Sequence, residues 1–496
     1  MEPGANLGLS YRVAGRATDE AWSAYPAYSP QPERPLPRSP IPSLAAAALL
    51  TLTAVPPGHG AASAPASWRG DVRYLVAAVD SLHPCPYRYF KRAQWDSAAA
   101  DLESRLPDMS AEQAVAAISR LLGKLRDGHS RLDQLQLPNH GRPVLRPLPW
   151  PGFDSEYPVD LEVFADGLWI VGATAAHENL AGAHVIAIDG KPVAEVVAAL
   201  APFIPADNPL WTLRVLPSYL RCPGYLAAAG LSPAPTAPLT LTLARNKGGR
   251  RNVTIAAEAP DSSATWLAAD RDAGAPLPLT RALPYPFAFV DLNDSTVFAR
   301  IQAIVSEPGH EGLPAFVARL FAHVDSLGSP RLVLDLRGNG GGNGYLNQSL
   351  VHAILRRPAL DRTGRLFAIV DRGTFSAATQ LAADLERETH AVFVGEPTGA
   401  APDSPGDPAH VTLPASGLVV RISTVLWNGS DPRDPRAFIA PDVPASPTFA
   451  DWLAHRDRSL EAIARYKVPA NLPDVPPNQH WGNPAKLKAV PPRIAW

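Results

Sequence analysis

Two loops in the second half of the chain hold residues whose types and spacing could do chemistry. The first, Arg372-Gly-Thr-Phe-Ser-Ala-Ala, lies between an apolar strand pattern, Leu366 to Val370, and a helical pattern, Ser376 to Glu386. A serine there sits on a sharp turn at a helix N-terminus, with its Oγ exposed where the helix dipole favours negative charge. The same position also suits a serine that does no more than cap the helix. The second loop, Asp335-Leu-Arg-Gly-Asn-Gly-Gly-Gly-Asn-Gly, directly follows a buried-strand pattern, Arg331 to Leu336. Its glycines let the backbone run close to a ligand and turn amide N–H groups into a cleft. No Gly-Lys-Ser/Thr ending follows, which argues against nucleotide binding.

The elements that must position these loops read as follows. Val72, Leu75, Val76, Val79 and Leu82 recur at helical spacing, and Ser110 with Gln113 opens another helix as a capping pair. That helix carries Val115, Ile118, Leu121 and Leu122 on one face and is predicted to end at Gly128. A proline-rich linker, Pro138 to Pro151, follows. Strands are predicted at Leu168 to Val171 and around the Asp189-Gly190 turn, with a helix over Glu195 to Leu200 and a hairpin from Leu239 to Ala256. Residues 203–236 interrupt this β-rich order as an insertion. From Ala288 strands and helices alternate, the signature of an α/β core.

Taken together and in order, "LVLDLRGNGGGN", "GTFSAATQLAADL", "VFVGEPTG" and "IAPDV" resemble the S41 peptidases, which include the C-terminal processing proteases, tricorn protease and the interphotoreceptor retinoid-binding protein modules. The resemblance spans roughly Trp68 to Asp457. It implies an α/β fold: a ClpP/crotonase-like core at 280–470, an N-terminal helical segment at 67–137 and an inserted β-rich PDZ-like domain at 155–262. "LAGAHVIAIDGKPV" carries the likeness to a PDZ domain, although no clear carboxylate-binding loop is visible. The resemblance makes Ser376 the nucleophile and gives the oxyanion hole to backbone N–H groups of Gly341, Gly342 and Ala377. A serine hydroxyl needs a base. One branch of the family uses a lysine about 25 residues beyond the serine, but none lies here between Ser376 and Lys467. The tricorn-like branch uses a histidine from the helical region, and "LRDGHS" places His129 there, where it could otherwise be a helix-capping residue. That branch also uses a glutamate shortly before a Pro-Asp pair. Asp434 occupies this place, with Asp431 the alternative, while the context of Glu396 in "GEPTG" looks structural.

The 496 residues allow one to three domains, and 45 basic against 47 acidic residues give no reason to propose nucleic acid or an anionic membrane as a partner. The two cysteines, Cys85 and Cys222, form no Cys/His cluster that would hold a metal. They could pair in an exported protein or stay as buried thiols. Leu44 to Val55 is a short apolar run after Arg34 and Arg38 and before small residues at 60–66, the layout of a secretory signal within a leader at 1–66. Its depth in the chain implies a translation start downstream of Met1; a disordered Pro/Ala-rich leader is the other reading. The expectation is a periplasmic or secreted serine endopeptidase acting on peptide or protein substrates. It would have no cofactor, no membrane span in its mature form and a proline-rich tail at 471–496. The alternative is an inactive module of the same fold that binds an apolar ligand or peptide.

Overall fold

The computed structural model describes residues 68–470 except 138–141, 245–248, 262, 272–273, 329 and 432–433, together with 489, 491, 492 and 494. The leader, its apolar run and nearly all of the proline-rich tail lie outside the described residues.

Three helices open the described chain: Trp68–Leu82, Arg92–Arg105 and Ala111–Gly123. The third begins with the expected capping box, Ser110 Oγ accepting the Gln113 N–H while the Gln113 side chain accepts the Ser110 N–H. It does not run to Gly128. The last turn tightens through i→i−3 bonds from Lys124, Leu125 and Arg126, and Arg126 takes a left-handed φ of 52°. The helix therefore ends at Gly123, which leaves the Asp127–Ser130 segment free to form an irregular turn.

An antiparallel sheet follows, in the order Val159–Phe164, Gly167–Thr174, His184–Ile188, Leu239–Ala244, Arg250–Ile255. The helix Val193–Leu200 falls where the sequence predicts it. The insertion folds into two more helices, Pro209–Leu220 and Pro223–Ala228, whose side chains join one continuous apolar cluster with the N-terminal helices, this sheet and Phe375.

The remaining core is a six-stranded sheet in the order Phe287–Asn293, Thr296–Ile301, Arg331–Asp335, Leu366–Val370, Val392–Gly395, Val443–Pro444. Its first pair is antiparallel and the rest are parallel. Parallel strands need cover on both faces. Leu332, Leu334, Ala368 and Val370 pack on one side with the helices Leu313–Ser326, Asn347–Leu355 and Ala377–Glu388; Val333, Phe367 and Ile369 pack on the other with Ile463. The continuous apolar runs at 331–336 and 366–370 are thus strands buried on both sides. Both chemical loops leave this sheet at strand C-terminal ends, where α/β sheets place their ligand sites. Among the described residues no helix is long and apolar enough to cross a membrane.

Candidate active site

The two loops are stitched to each other. Phe375 donates its N–H to the Asn339 carbonyl at 3.0 Å, Thr374 Oγ1 donates to the Leu336 carbonyl at 2.9 Å, and the Gly338 N–H donates to Asp371 Oδ1 at 2.9 Å. Approach is so close that a Cβ on Gly341 would lie 2.6 Å from Ser376 Cβ and 2.8 Å from the Ala377 nitrogen. Gly341 and Gly342 also hold φ values of 105° and 138°, open to glycine at little cost.

Ser376 precedes the helix Ala377–Glu388 but does not cap it: its hydroxyl accepts no cap hydrogen bond, and its backbone is held at φ 54°, ψ −130°. A non-glycine residue in that region stores strain, a cost of order 1–3 kcal/mol that surrounding contacts must over-determine. Strand-to-helix turns that project a nucleophilic serine have this character. Ala377, the first helical residue, has no intrahelical acceptor for its N–H.

His129 reaches the same cleft from the other side of the chain. It lines one cavity with Gly342, Ser376, Ala377, Gly406 and Trp427. The segment after it pairs with the strand Val419–Ile422 through bonds between Arg131 and Arg421 and from the Asp133 N–H to Val419 O. Its imidazole lies flat on Phe375, centroids 4.5 Å apart, and Phe375 in turn lies on Trp211 at 3.8 Å. Only 6% of His129 is exposed, and its buried Nδ1 makes no hydrogen bond among the described residues.

The carboxylate facing that nitrogen is Asp127, with Oδ1 3.6 Å from Nδ1. This is just beyond a hydrogen bond, and such contacts commonly tighten when substrate binds. Asp127 is held firmly: Oδ1 accepts the His129 N–H at 2.8 Å, and Oδ2 accepts Ser130 Oγ at 2.5 Å, Ser423 Oγ at 2.6 Å and His83 Nε2 at 3.2 Å. Burial alone would push its pKa up. The two histidines, by hydrogen bonding and charge, more than reverse this and hold the carboxyl well below the usual range. Nothing in composition or periodicity points to Asp127, though it stands in the same "LRDGHS" string as His129.

Asp434, the position expected from the sequence, is placed differently. Its carboxylate takes Arg436 Nε and Nη2 at 2.8–3.0 Å, and Arg436 also forks onto Glu386. It serves a buried ion-pair network and makes no hydrogen bond to His129. Asp431, the alternative, gives its carbonyl to the Asp434 N–H. Gly341 differs from expectation too: its N–H donates to Asn339 Oδ1 at 2.9 Å, and Asn339 is itself anchored to the Ile301 carbonyl. That amide is spent on shaping the loop, which leaves Gly342 and Ala377 as the donors lining the cavity. Glu396 is buried against Arg372 at 3.4 Å. Cys85 and Cys222 are unpaired, and burial first among its surroundings pushes the Cys222 thiol up to about 12.

Asp127, His129 and Asp207 each offer a ligand atom, all within 4.8 Å of one another, a spacing that a metal ion could use. A cation there would compete with the four protein donors already on Asp127.

No family model matches the chain, and no curated protein matches it in sequence. Solved structures do. A mutant of CPAF superimposes with a TM-score of 0.54 at 13% identity, covering 81% of this chain and 98% of that one. Mature CPAF complexed with lactacystin gives 0.51 at 14% identity, covering 80% and 96%. Photosystem II D1 C-terminal processing protease also matches, at 16% identity and a TM-score of 0.35, covering 79% and 99%. The chain has the S41 peptidase fold. Within this S41 fold the strained serine, the imidazole and the glycine loop converge on one cavity.

Proposed function

We propose that the chain is an exported serine endopeptidase that cleaves peptides or proteins by acyl transfer. The observation that carries this reading is the strained Ser376 in one cavity with His129 and the Gly342 and Ala377 amides. Ser376 Oγ attacks the scissile carbonyl carbon while its proton passes to His129 Nε2. The Gly342 and Ala377 N–H groups receive the negative oxygen of the tetrahedral intermediate. Asp127 stabilises the imidazolium. As the C–N bond breaks, the proton moves from Nε2 to the departing amine. Water, deprotonated by His129, then attacks the acyl carbon; the ester C–O bond breaks, the acid product leaves and His129 Nε2 returns the proton to Ser376 Oγ. The ClpP/crotonase-like description of the core draws support from the parallel strand order at 296–395, and the antiparallel sheet at 159–255 is the PDZ-like segment, suited to receiving an extended peptide along an edge strand.

The test is labelling with a fluorophosphonate probe. The parent protein is expected to take one label, on Ser376, and Ser376→Ala to take none. A parent that folds but never labels would return the chain to the alternative of an inactive binding module.

Export rests on the sequence pattern at 44–66 alone. N-terminal sequencing of the protein from its own cell is expected to find a start between about Ser63 and Trp68, because signal cleavage follows small residues. An intact Met1 on a cytoplasmic protein would end that part of the reading.

A further inference from the structure

We propose that the insertion at 203–236 belongs to the catalytic machinery, with Asp207 and Trp211 acting as positioning residues for His129. This inference rests on the reading of His129 as the base.

The grip has two parts. Asp207 Oδ2 accepts the Gly128 N–H at 2.9 Å, while Arg131 Nη1 donates to the Gly128 carbonyl at 2.7 Å. Gly128, the residue that leads into His129, is thereby held at both its N–H and its carbonyl, one on each flanking peptide unit. Trp211 supplies the second part, stacking beneath Phe375 so that three flat rings, Trp211, Phe375 and His129, lie in sequence. Gly128 sits where the parts meet. A Cβ there would come within 2.8 Å of Asp207 Oδ2, 2.9 Å of Phe375 Cζ and 3.0 Å of Trp211 Nε1. Space for no side chain remains, and this is the physical reason for glycine at a position that does not end a helix.

The insertion is fixed to the core rather than draped over it. Asn208 caps the helix Pro209–Leu220 by accepting the N–H groups of Leu210 and Trp211, and its Nδ2 donates to the Thr398 and Ala437 carbonyls. A Cβ on Gly399 would meet Trp211 at 3.0 Å, so this helix lies hard against the loops behind Ser376.

Asp207 faces Asp127, His129, Arg88 and Tyr89. Burial pushes its carboxyl well above the usual range and the Asp127 charge adds to this, the Gly128 N–H offsetting only part. Two carboxylates this close cannot both ionise cheaply. Asp127, with four donors, is the better supported of the two as the charged partner, and Asp207 acts on Gly128 through its acceptor oxygen.

An imidazole displaced by about 1 Å costs on the order of 100-fold in turnover. Asp207→Ala is therefore expected to lower kcat about 100-fold, and Trp211→Leu about tenfold, with KM within about twofold of the parent. Asp207→Asn, isosteric and neutral, is expected to restore most of what Asp207→Ala loses. It also keeps the test alive if the alanine variant does not fold, since a loss as deep as that of His129→Ala would mean that Asp207 acts as a charge and would overturn the proposal. A second measurement does not depend on turnover: the rate at which diethyl pyrocarbonate modifies His129, read by mass spectrometry. That rate should rise roughly tenfold when the grip is removed and return in Asp207→Asn. Folded Asp207→Ala and Trp211→Leu proteins that modify at the parent rate overturn the positioning role. Because this readout needs no peptidase activity, failure of the peptidase reading and failure of the positioning role give separate results.

Discussion

His129→Ala is expected to lower kcat by roughly a million-fold, about as far as Ser376→Ala, because a nucleophile and its base act as a unit and the loss of either disables both. The reason lies in where the alternatives are. No lysine is among the residues that line the cavity, so no amine is placed there to take the Ser376 proton instead. Around the cavity, Gln380, Ser404, Asp407 and Trp427 carry the other polar side chains, and none of them is an imidazole or an amine. Single-turnover hydrolysis of a peptide ester would measure the loss. A His129→Ala protein within a few-fold of the parent at neutral pH would remove His129 from the mechanism while leaving Ser376 in place.

Asp127→Asn is expected to cost about ten thousand-fold in kcat, far more than Asp434→Asn. The carboxylate of Asp127 faces His129 Nδ1, so an amide there can present its N–H to that nitrogen and favour the tautomer with its proton on the wrong side. Asp434 lies in the Arg436–Glu386 network, and Asp434→Asn should act on stability rather than on turnover. Comparison of the two variants separates a catalytic partner from a structural ion pair: equal losses in kcat, or a deeper loss in Asp434→Asn, would return the third position to Asp434. Stability carries a second signature. The Asp127 carboxyl is depressed in the folded state, so it contributes stability above the ordinary carboxylate range that is lost as pH falls through and below that range. Asp127→Asn should lack this part of the acid-side decline in Tm.

The split between residues that were legible in the chain and those that were not follows from the reach of each signal. Periodicity and turn chemistry act over a few residues. They placed the helix opened by Ser110 and Gln113, the strands at 331–335 and 366–370, and the glycine and serine loops that follow them. They also made Ser376 and its loop stand out, since a serine between strand and helix needs no distant partner to be recognised. Helix ends are less legible: a glycine at 128 suits a terminator, whereas backbone tightening at Lys124–Arg126 closes the helix first and Gly128 answers to crowding by three groups from elsewhere.

Only the tertiary structure decided who partners whom. Asp127 and Asp434 are both aspartates in plausible strings. What separates them is that the strand at 419–422 brings Ser423 onto Asp127 beside His129, while Arg436 turns back on Asp434. Likewise the amide of Gly341 is withdrawn by Asn339, a contact of two residues whose sense depends on how Asn339 is anchored to the neighbouring strand. Asp207 meets Gly128 across 79 residues, through an insertion that carries no motif of its own. Hydrogen bonds and ring stacks of this kind depend on the apolar burial that holds the N-terminal helices, the insertion and Phe375 in one cluster. Burial is non-directional and scales with area rather than with residue order, so the chain specified the chemical groups locally and the packed fold chose among them.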